Sequence, residues 1–430
     1  MLDVNFIREH KEKVATDAKN KKVDVDIDGL LNLDLKRREL ILKVDDLRSE
    51  RNEHAKNMGQ GKPNDEQIKA GKDIKDRLQV LEDELTTIES DIYKIARLVP
   101  NVVSEDTPVG PDESGNIVLK KVGEIPEFSF EPKVHADLLE PAGLVDKERA
   151  ARVSGARFAY HIGALVELEM ALQKFVIDTV TNENVIKKIV EERKLSIDTK
   201  TFTLVVPPEI IRTDVMEKTG RLDPPEDKYH ISGEDLVLVG SAEHSVGPMH
   251  MEEILPANSL PLRYLGISTA FRKEAGTYGK DMHGILRVHQ FRKLELETLS
   301  DVETSNEEQE LMIGLQEYIH QALGIPYQVV AICTGDMGKP DFKQVDIEAW
   351  FAGENKYRET ATSDHVSDFQ SRRLNIRYKS ENGNVYVHMN DATALSERPM
   401  LAIIENNQTA DGKIRIPDVL KPLMNNKEYL

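Results

Sequence analysis

Cysteine is almost absent: Cys333 is the single one in 430 residues. That excludes an intrachain disulfide, a cysteine-rich zinc site and a cysteine-held iron–sulfur cluster, and no zinc is expected. Long apolar runs are missing too, since nothing approaches the ~18 to 20 apolar residues of a membrane-spanning helix. The first ten residues carry Asp3 and Glu9 and no apolar core of a secretory signal, so a cytoplasmic chain without membrane contact is expected. Neither a GxxxxGK[ST] loop nor a GxGxxG fingerprint occurs, so two common nucleotide folds lack their signature. Positive charge is in deficit, with 57 Lys+Arg against 76 Asp+Glu and a net charge of −19. A general nucleic-acid coat needs a cationic surface, so any such contact must be local. The first hundred residues hold 20 of those cations and 22 of those carboxylates, a net of −2, which leaves −17 for the remainder. Local contact with a polyanion is therefore better placed in the N-terminal hundred.

The clearest periodicity lies there. Ile74, Leu78, Leu81, Leu85, Ile88, Ile92, Ile95 and Val99 alternate at steps of four and three, a heptad seam that Pro100 ends. Upstream, Leu33, Leu40, Val44, Leu47, His54 and Met58 keep the same spacing, with Arg37 and Arg51 interrupting. Met58-Gly-Gln-Gly-Lys-Pro63 between them is a breaker cluster. Two facing seams with a short connection predict an antiparallel coiled-coil hairpin over about residues 30–99. A hairpin of this kind serves equally as a spacer, as a dimerisation element or as an arm reaching a distant partner. Its first helix carries Arg37, Arg38, Arg51 and Lys56 among several cations, the side chains a phosphate backbone would need.

From about residue 115 the pattern changes to short β-rich runs alternating with helices. Strands are predicted at 202–206, 236–239, 286–291, 327–332 and 385–388, and helices near 162–195, 303–323 and 398–407. This mixed order predicts an α+β domain on a mainly antiparallel sheet. Arg272, Glu274, Arg287, His289, Glu295 and Glu297 lie in or beside strand-like runs, where a buried ion is costly unless paired or bound. Arginines suit phosphate through bidentate hydrogen bonds, and carboxylates suit an amino group or magnesium. Together they predict a site for a nucleoside triphosphate and a zwitterionic substrate.

The run Ala270-Phe-Arg-Lys-Glu-Ala-Gly276 through Leu286-Arg-Val-His-Gln-Phe291 closely resembles motif 2 of class II aminoacyl-tRNA synthetases, in particular the seryl-tRNA synthetase family of bacterial type. Val205-Val-Pro-Pro208 resembles the end of motif 1, Ser241-Ala-Glu243 the family's Thr-x-Glu element, and Arg398 with Ile404-Glu-Asn-Asn-Gln408 motif 3. Tyr357-Arg-Glu359, Phe369–Arg377 and Gly412–Leu420 fit in order, and the hairpin matches the family's tRNA-binding arm. The resemblance implies a class II catalytic domain over 111–430 behind a tRNA-binding domain over 1–110. It implies ATP-dependent activation of serine to seryl-adenylate and transfer to the 3′ end of tRNA(Ser), with tRNA(Sec) as a further acceptor to consider, in a homodimer using ATP and Mg2+. Arg272 would hold the α-phosphate and orient the serine carboxylate. Glu274 and Phe291 would bind adenine, Arg287 the outer phosphates and Arg398 the γ-phosphate, while Glu359 and Thr362 would coordinate magnesium. Arg272, Glu359 and Arg398 would thus be the catalytic set. Ser241, Glu243, Arg272, Glu295, Asn390 and Thr393 would form the serine pocket, and Arg37, Arg38, Arg51 and Lys56 would meet tRNA.

Departures from the pattern fall mostly in that pocket. Asp364-His365 stand where small polar residues such as Ser-Asn are usual, and Arg292 follows the motif 2 phenylalanine. The segment between His388 and Arg398 is one residue short. Its usual Asn-Gly-Ser/Thr becomes Asn390-Asp391-Ala392 in one register, which loses the hydroxyl. In the other it becomes Asp391-Ala392-Thr393, which keeps the hydroxyl and loses the asparagine. A diverged paralogue activating another small amino acid and a non-catalytic RNA-binding homologue are the alternatives these changes leave open.

Overall fold

The computed structural model of the chain describes residues 1–58, 64–222, 224–274, 284–381 and 383–430. The chain divides into two compact units, Met1–Val102 and Val103–Leu430. The division falls ahead of the expected boundary at residue 110. Val103 packs with Val330, Ile332 and Met337, and the Ser104 amide donates to the Phe342 carbonyl at 2.9 Å. These are distant partners that no local composition change announces.

In the first unit, two short helices precede α1 (Ile27–Met58) and α2 (Asp65–Ala96), each 32 residues long, or roughly 48 Å at 1.5 Å per residue. Asn64 starts α2 through a capping box: its side chain accepts from the Gln67 amide while Gln67 accepts from the Asn64 amide. The breaker cluster at 59–63 lies outside the described residues. The seams meet as the heptads require, with Val44, Leu47 and Leu78 buried together and Leu81 against them. The interruption at Arg37 has a local cause. Asp34 is fully buried one turn earlier and collects Arg8 at 2.7 Å, Arg37 at 2.7 Å and Arg38 at 3.2 Å, so the seam carries a neutralised ionic layer instead of a leucine.

The second unit is built on one eight-stranded sheet. In chain order its elements are β1 (Ile117–Val122), α3 (Ala164–Val180), β2 (Thr203–Val205), β3 (Leu262–Phe271), β4 (Gln290–Ser300), α4 (Ser305–Ala322), β5 (Tyr327–Ala331), β6 (Lys343–Phe351), β7 (Lys356–Ser367), β8 (His388–Leu395) and α5 (Arg398–Asn406). The strand order is β1-β5-β6-β7-β8-β4-β3-β2. Every neighbouring pair is antiparallel except β2 and β3. Side chains alternate across the sheet. On β4, Leu294 and Leu296 enter a core shared with Leu311, Met312 and Leu315 of α4 and with Met400 and Leu401 of α5. Phe291, Lys293, Glu295 and Glu297 keep the opposite phase, so one face of the sheet is hydrocarbon and the other is ionic.

Three local expectations change. The strand read at 385–388 covers the end of a strand Gly383–Tyr386 and the start of β8 at His388. The strand read at 286–291 begins only at Gln290. The helix read over 162–195 is two, because Asn182 accepts from the Asn184 amide and starts a second helix at Glu183.

Candidate active site

All seven residues expected to hold ATP line one cleft: Arg272, Glu274, Arg287, Phe291, Glu359, Thr362 and Arg398. Arg272 leaves the end of β3, where its amide and carbonyl both bond His289, and its Nε donates to the Gly240 carbonyl at 3.1 Å. That fixes its guanidinium 5.4 Å from the Phe291 ring centre, on β4 beside β3. His289 is thereby a scaffold residue. Arg287 pairs with Glu274 at 2.9 Å. Residues 275–283, the middle of the motif 2 run, lie outside the described residues.

Arg398 opens α5, with Pro399 at a position where its missing N–H costs no helical bond. Its Nη1 donates to the Glu359 carbonyl at 2.8 Å and pairs with Glu359 Oε2 at 3.0 Å. Arg398 is the main reason the Glu359 carboxyl lies below its ordinary pKa, so Glu359 is ionised at neutral pH. Thr362, on the same strand, accepts from Gln344 and donates to Asp364, both at 3.2 Å.

The sheet face continues into a buried ionic layer. Lys293 reaches Ser241 Oγ at 3.2 Å and Glu295 Oε2 at 2.7 Å. Thr393 pairs in register with Glu295, its hydroxyl 3.5 Å from Glu295 Oε1. Ser241 Oγ lies 3.4 Å from Glu243 Oε2, while Glu243 Oε1 lies 3.1 Å from Arg221 Nε. Burial pushes Glu243 upward, but Arg221 and His244 outweigh it and hold the carboxyl well below its usual range. Burial prevails at Glu295 despite Lys293 and lifts its pKa to about 7. His244 accepts from the Gly240 amide at 3.0 Å, and burial pushes it down to about 4, so it is neutral. The layer thus offers one firmly ionised carboxylate, one that titrates near neutrality and a threonine hydroxyl beside it.

Comparison with known proteins adds an independent measure. Residues 1–103 match the seryl-tRNA synthetase N-terminal domain, and residues 228–407 match the tRNA synthetase class II core domain (G, H, P, S and T). The serine–tRNA ligase of Nitrosopumilus maritimus is 40% identical over the whole of both chains, and that of Dictyoglomus turgidum is 38% identical over 98% of this chain and 97% of its own. The chain belongs to the seryl-tRNA synthetase family. Among solved structures, seryl-tRNA synthetase from Pyrococcus horikoshii complexed with ATP superposes with a TM-score of 0.89 at 37% identity, covering all of this chain and 99% of its own. The cytoplasmic serine–tRNA ligase from Naegleria fowleri in complex with AMP gives 0.86 at 29% identity, covering all of this chain and 98% of its own.

Against that family background, the strand register decides the shortened motif 3. Asp391 faces Glu297 and Thr393 faces Glu295, while Ala392 turns into the hydrocarbon core. Thr393 thus shares the sheet face of Glu295, the face on which the second register would place its hydroxyl. Asn390, expected beside Thr393 in the serine pocket, lies on the other sheet face, opposite Thr298. It sits in the opposite phase, buried, donating to the Ser305 carbonyl at 2.9 Å and to Thr298 Oγ1 at 3.2 Å. The pairing of β8 with β4 shifts register between Thr393 and Leu395, ahead of Arg398 in the cleft. Three residues of the layer, Lys293, Arg221 and His244, escaped sequence reading. Lys293 shares the alternation of Phe291 and Glu295 and was findable from it. Arg221 follows a helix in a loop and has no local pattern to betray it.

Proposed function

We propose that the cleft activates serine with ATP and transfers the seryl group to the 3′ end of tRNA(Ser). The carrying observation is that the seven nucleotide candidates line one wall system, while Glu295 and Thr393 continue from it on the same sheet face and Glu243 adjoins them from the start of a short helix. Arg272 stands where the two groups meet. A serine carboxylate attacking the α-phosphorus adds charge to the phosphoryl oxygens, and a fixed guanidinium there stabilises that charge without reorganising. Arg287 and Arg398 hold the outer phosphates in line as pyrophosphate leaves. Glu243, kept ionised, accepts from the serine ammonium.

Glu295 and Thr393 read the hydroxyl. An alanine side chain would leave both groups desolvated and unpaired, which is how a polar pocket rejects an analogue lacking its hydroxyl. Glu359 and Thr362 present only oxygen donors beside the phosphate-binding arginines, a set that fits magnesium. When bound there, magnesium neutralises phosphate charge.

The family's homodimer is supported by apolar side chains left open around α3 and β2, with Met170 60% and Val206 80% exposed. No described helix is long and apolar enough to cross a membrane. tRNA(Sec) is an acceptor to test beside tRNA(Ser).

The test is ATP–pyrophosphate exchange with serine, threonine, alanine, glycine and cysteine, followed by charging of both tRNAs. Exchange with serine alone is expected. Preference for another amino acid would make the chain a diverged paralogue, and no exchange by folded protein would leave only binding.

A further inference from the structure

One cation of the ionic layer belongs to neither the nucleotide wall nor the expected serine pocket. Arg221 follows the helix Thr213–Thr219. Gly220 ends that helix in the left-handed region at φ +78°, where a side chain would be strained, and the chain turns inward so that Arg221 is largely buried. Its Nε faces Glu243 Oε1 at 3.1 Å, and its Nη2 lies 3.2 Å from Asp391 Oδ2, 3.3 Å from Asp341 Oδ1 and 3.4 Å from Asp364 Oδ2. Asp391 and Asp364 are two of the positions at which the chain departs from the motif pattern. One guanidinium therefore joins both departures to the carboxylate that the functional reading gives to the substrate ammonium.

We propose that Arg221 is a positioning residue for serine: it clamps one oxygen of Glu243 against Asp391 and leaves the other to accept from the substrate ammonium. This rests on the functional reading above. A guanidinium suits the task because its planar fork reaches two carboxyls at fixed angles, which an ammonium cannot do. The clamp also sets the charge of the layer. His244 and Lys293 approach Glu243 from its other sides, Glu295 and Glu297 lie beside it on β4, and Asp341, Asp364 and Asp391 lie behind Arg221. Burial pushes the Glu243 pKa upward, and the Arg221 charge is the largest influence opposing it.

The test is serine-dependent ATP–pyrophosphate exchange across pH in the full-length wild type, Arg221→Gln, Arg221→Lys and the double variant Arg221→Gln with Asp391→Asn. In Arg221→Gln the serine KM should rise roughly 10- to 100-fold, the scale of one charge-assisted hydrogen bond, with the ATP KM unchanged. The acid limb of kcat/KM for serine should move to higher pH, because Glu243 loses the charge that keeps it ionised. Adding Asp391→Asn should recover part of the loss, since it removes a buried carboxyl that Arg221→Gln leaves without its guanidinium partner. Parallel rises in both KM values, or an acid limb that stays in place, would overturn the proposal. Should Arg221→Gln fail to fold, Arg221→Lys decides: it keeps the charge but cannot span both carboxyls, so a wild-type serine KM there refutes the clamp and a raised one upholds it. Wild-type protein that exchanges with no serine at all would remove the functional reading itself, a separate and earlier failure.

Discussion

Thr393 and Glu295 face each other across adjacent strands, hydroxyl to carboxyl at 3.5 Å, both buried. Thr393→Val keeps the shape and removes only the hydroxyl. The expected outcome is a fall of roughly 10- to 100-fold in kcat/KM for serine, with the alanine rate little changed, because each lost hydrogen bond to a charged or titrating group is worth about 1.5 to 3 kcal/mol. Competitive exchange assays with the two amino acids measure the ratio directly. An unchanged ratio would place the hydroxyl-reading elsewhere. At this scale the arginines and carboxylates of the cleft were legible, because ions embedded in strand-like runs demand partners. Asn390 was misplaced because the gap in motif 3 hid its phase, and phase decides which face a strand residue sees. Arg221 was invisible because its four carboxyl neighbours come from segments 22 or more residues away in the chain, and nothing local marks it.

The hairpin helices show what a heptad carries. Val44, Leu47 and Leu78 form one buried cluster, so Leu78→Ala removes a large side chain from the seam with little else nearby to collapse into the space. A cost of about 2 to 4 kcal/mol to the first unit is expected. Two-probe thermal unfolding should show that unit melting earlier while exchange activity, seated in the second unit, persists. Coincident loss of both would contradict the division into units. The seam was readable in detail because its apolar residues repeat without exception from Ile74 onward. The strands β6 and β7 were not, although β7 has twelve residues. Their pocket face carries Asp346, Glu359, Thr362 and Asp364, so the alternation is broken by the chemistry that the sheet exists to hold.

For the whole molecule, buried acids set the response to pH. Glu295 is lifted from 4.5 to about 7, and Glu297 and Asp391 are raised well above their ordinary values, in each case chiefly by burial. A carboxyl raised in the fold binds its proton more tightly there than in the unfolded chain. Stability then falls as pH climbs from about 4.5 through about 7. Buried His244 and His320, held down from 6.5 to about 4, oppose this at lower pH, so the melting temperature should decline between about pH 6.5 and pH 8. Glu297→Gln, which replaces a buried acid by a neutral isostere, should flatten that decline, and an unchanged slope would show that Glu297 is not among its sources.

The uneven charge along the chain has a second consequence at this scale. The C-terminal part carries −17 of the net −19, so a polyanion is repelled by most of the surface and must be engaged by a restricted set of cations. Of the four expected to meet tRNA, Arg37 and Arg38 already pair with buried Asp34 near the start of α1, whereas Arg51 and Lys56 stand exposed toward its other end. The first pair therefore has less charge to offer phosphate than the second. Arg51→Ala and Lys56→Ala should each weaken tRNA charging and reduce the log–log salt slope of tRNA binding by roughly one unit, with serine-dependent exchange intact. Arg37→Ala should instead lower the melting temperature of the first unit, because it strips a partner from a buried carboxylate. The contrast is measured by charging and exchange assays over a salt series beside thermal unfolding. Salt slopes that fall for Arg37→Ala and stay for Arg51→Ala would reverse the assignment and put the tRNA contact near Asp34.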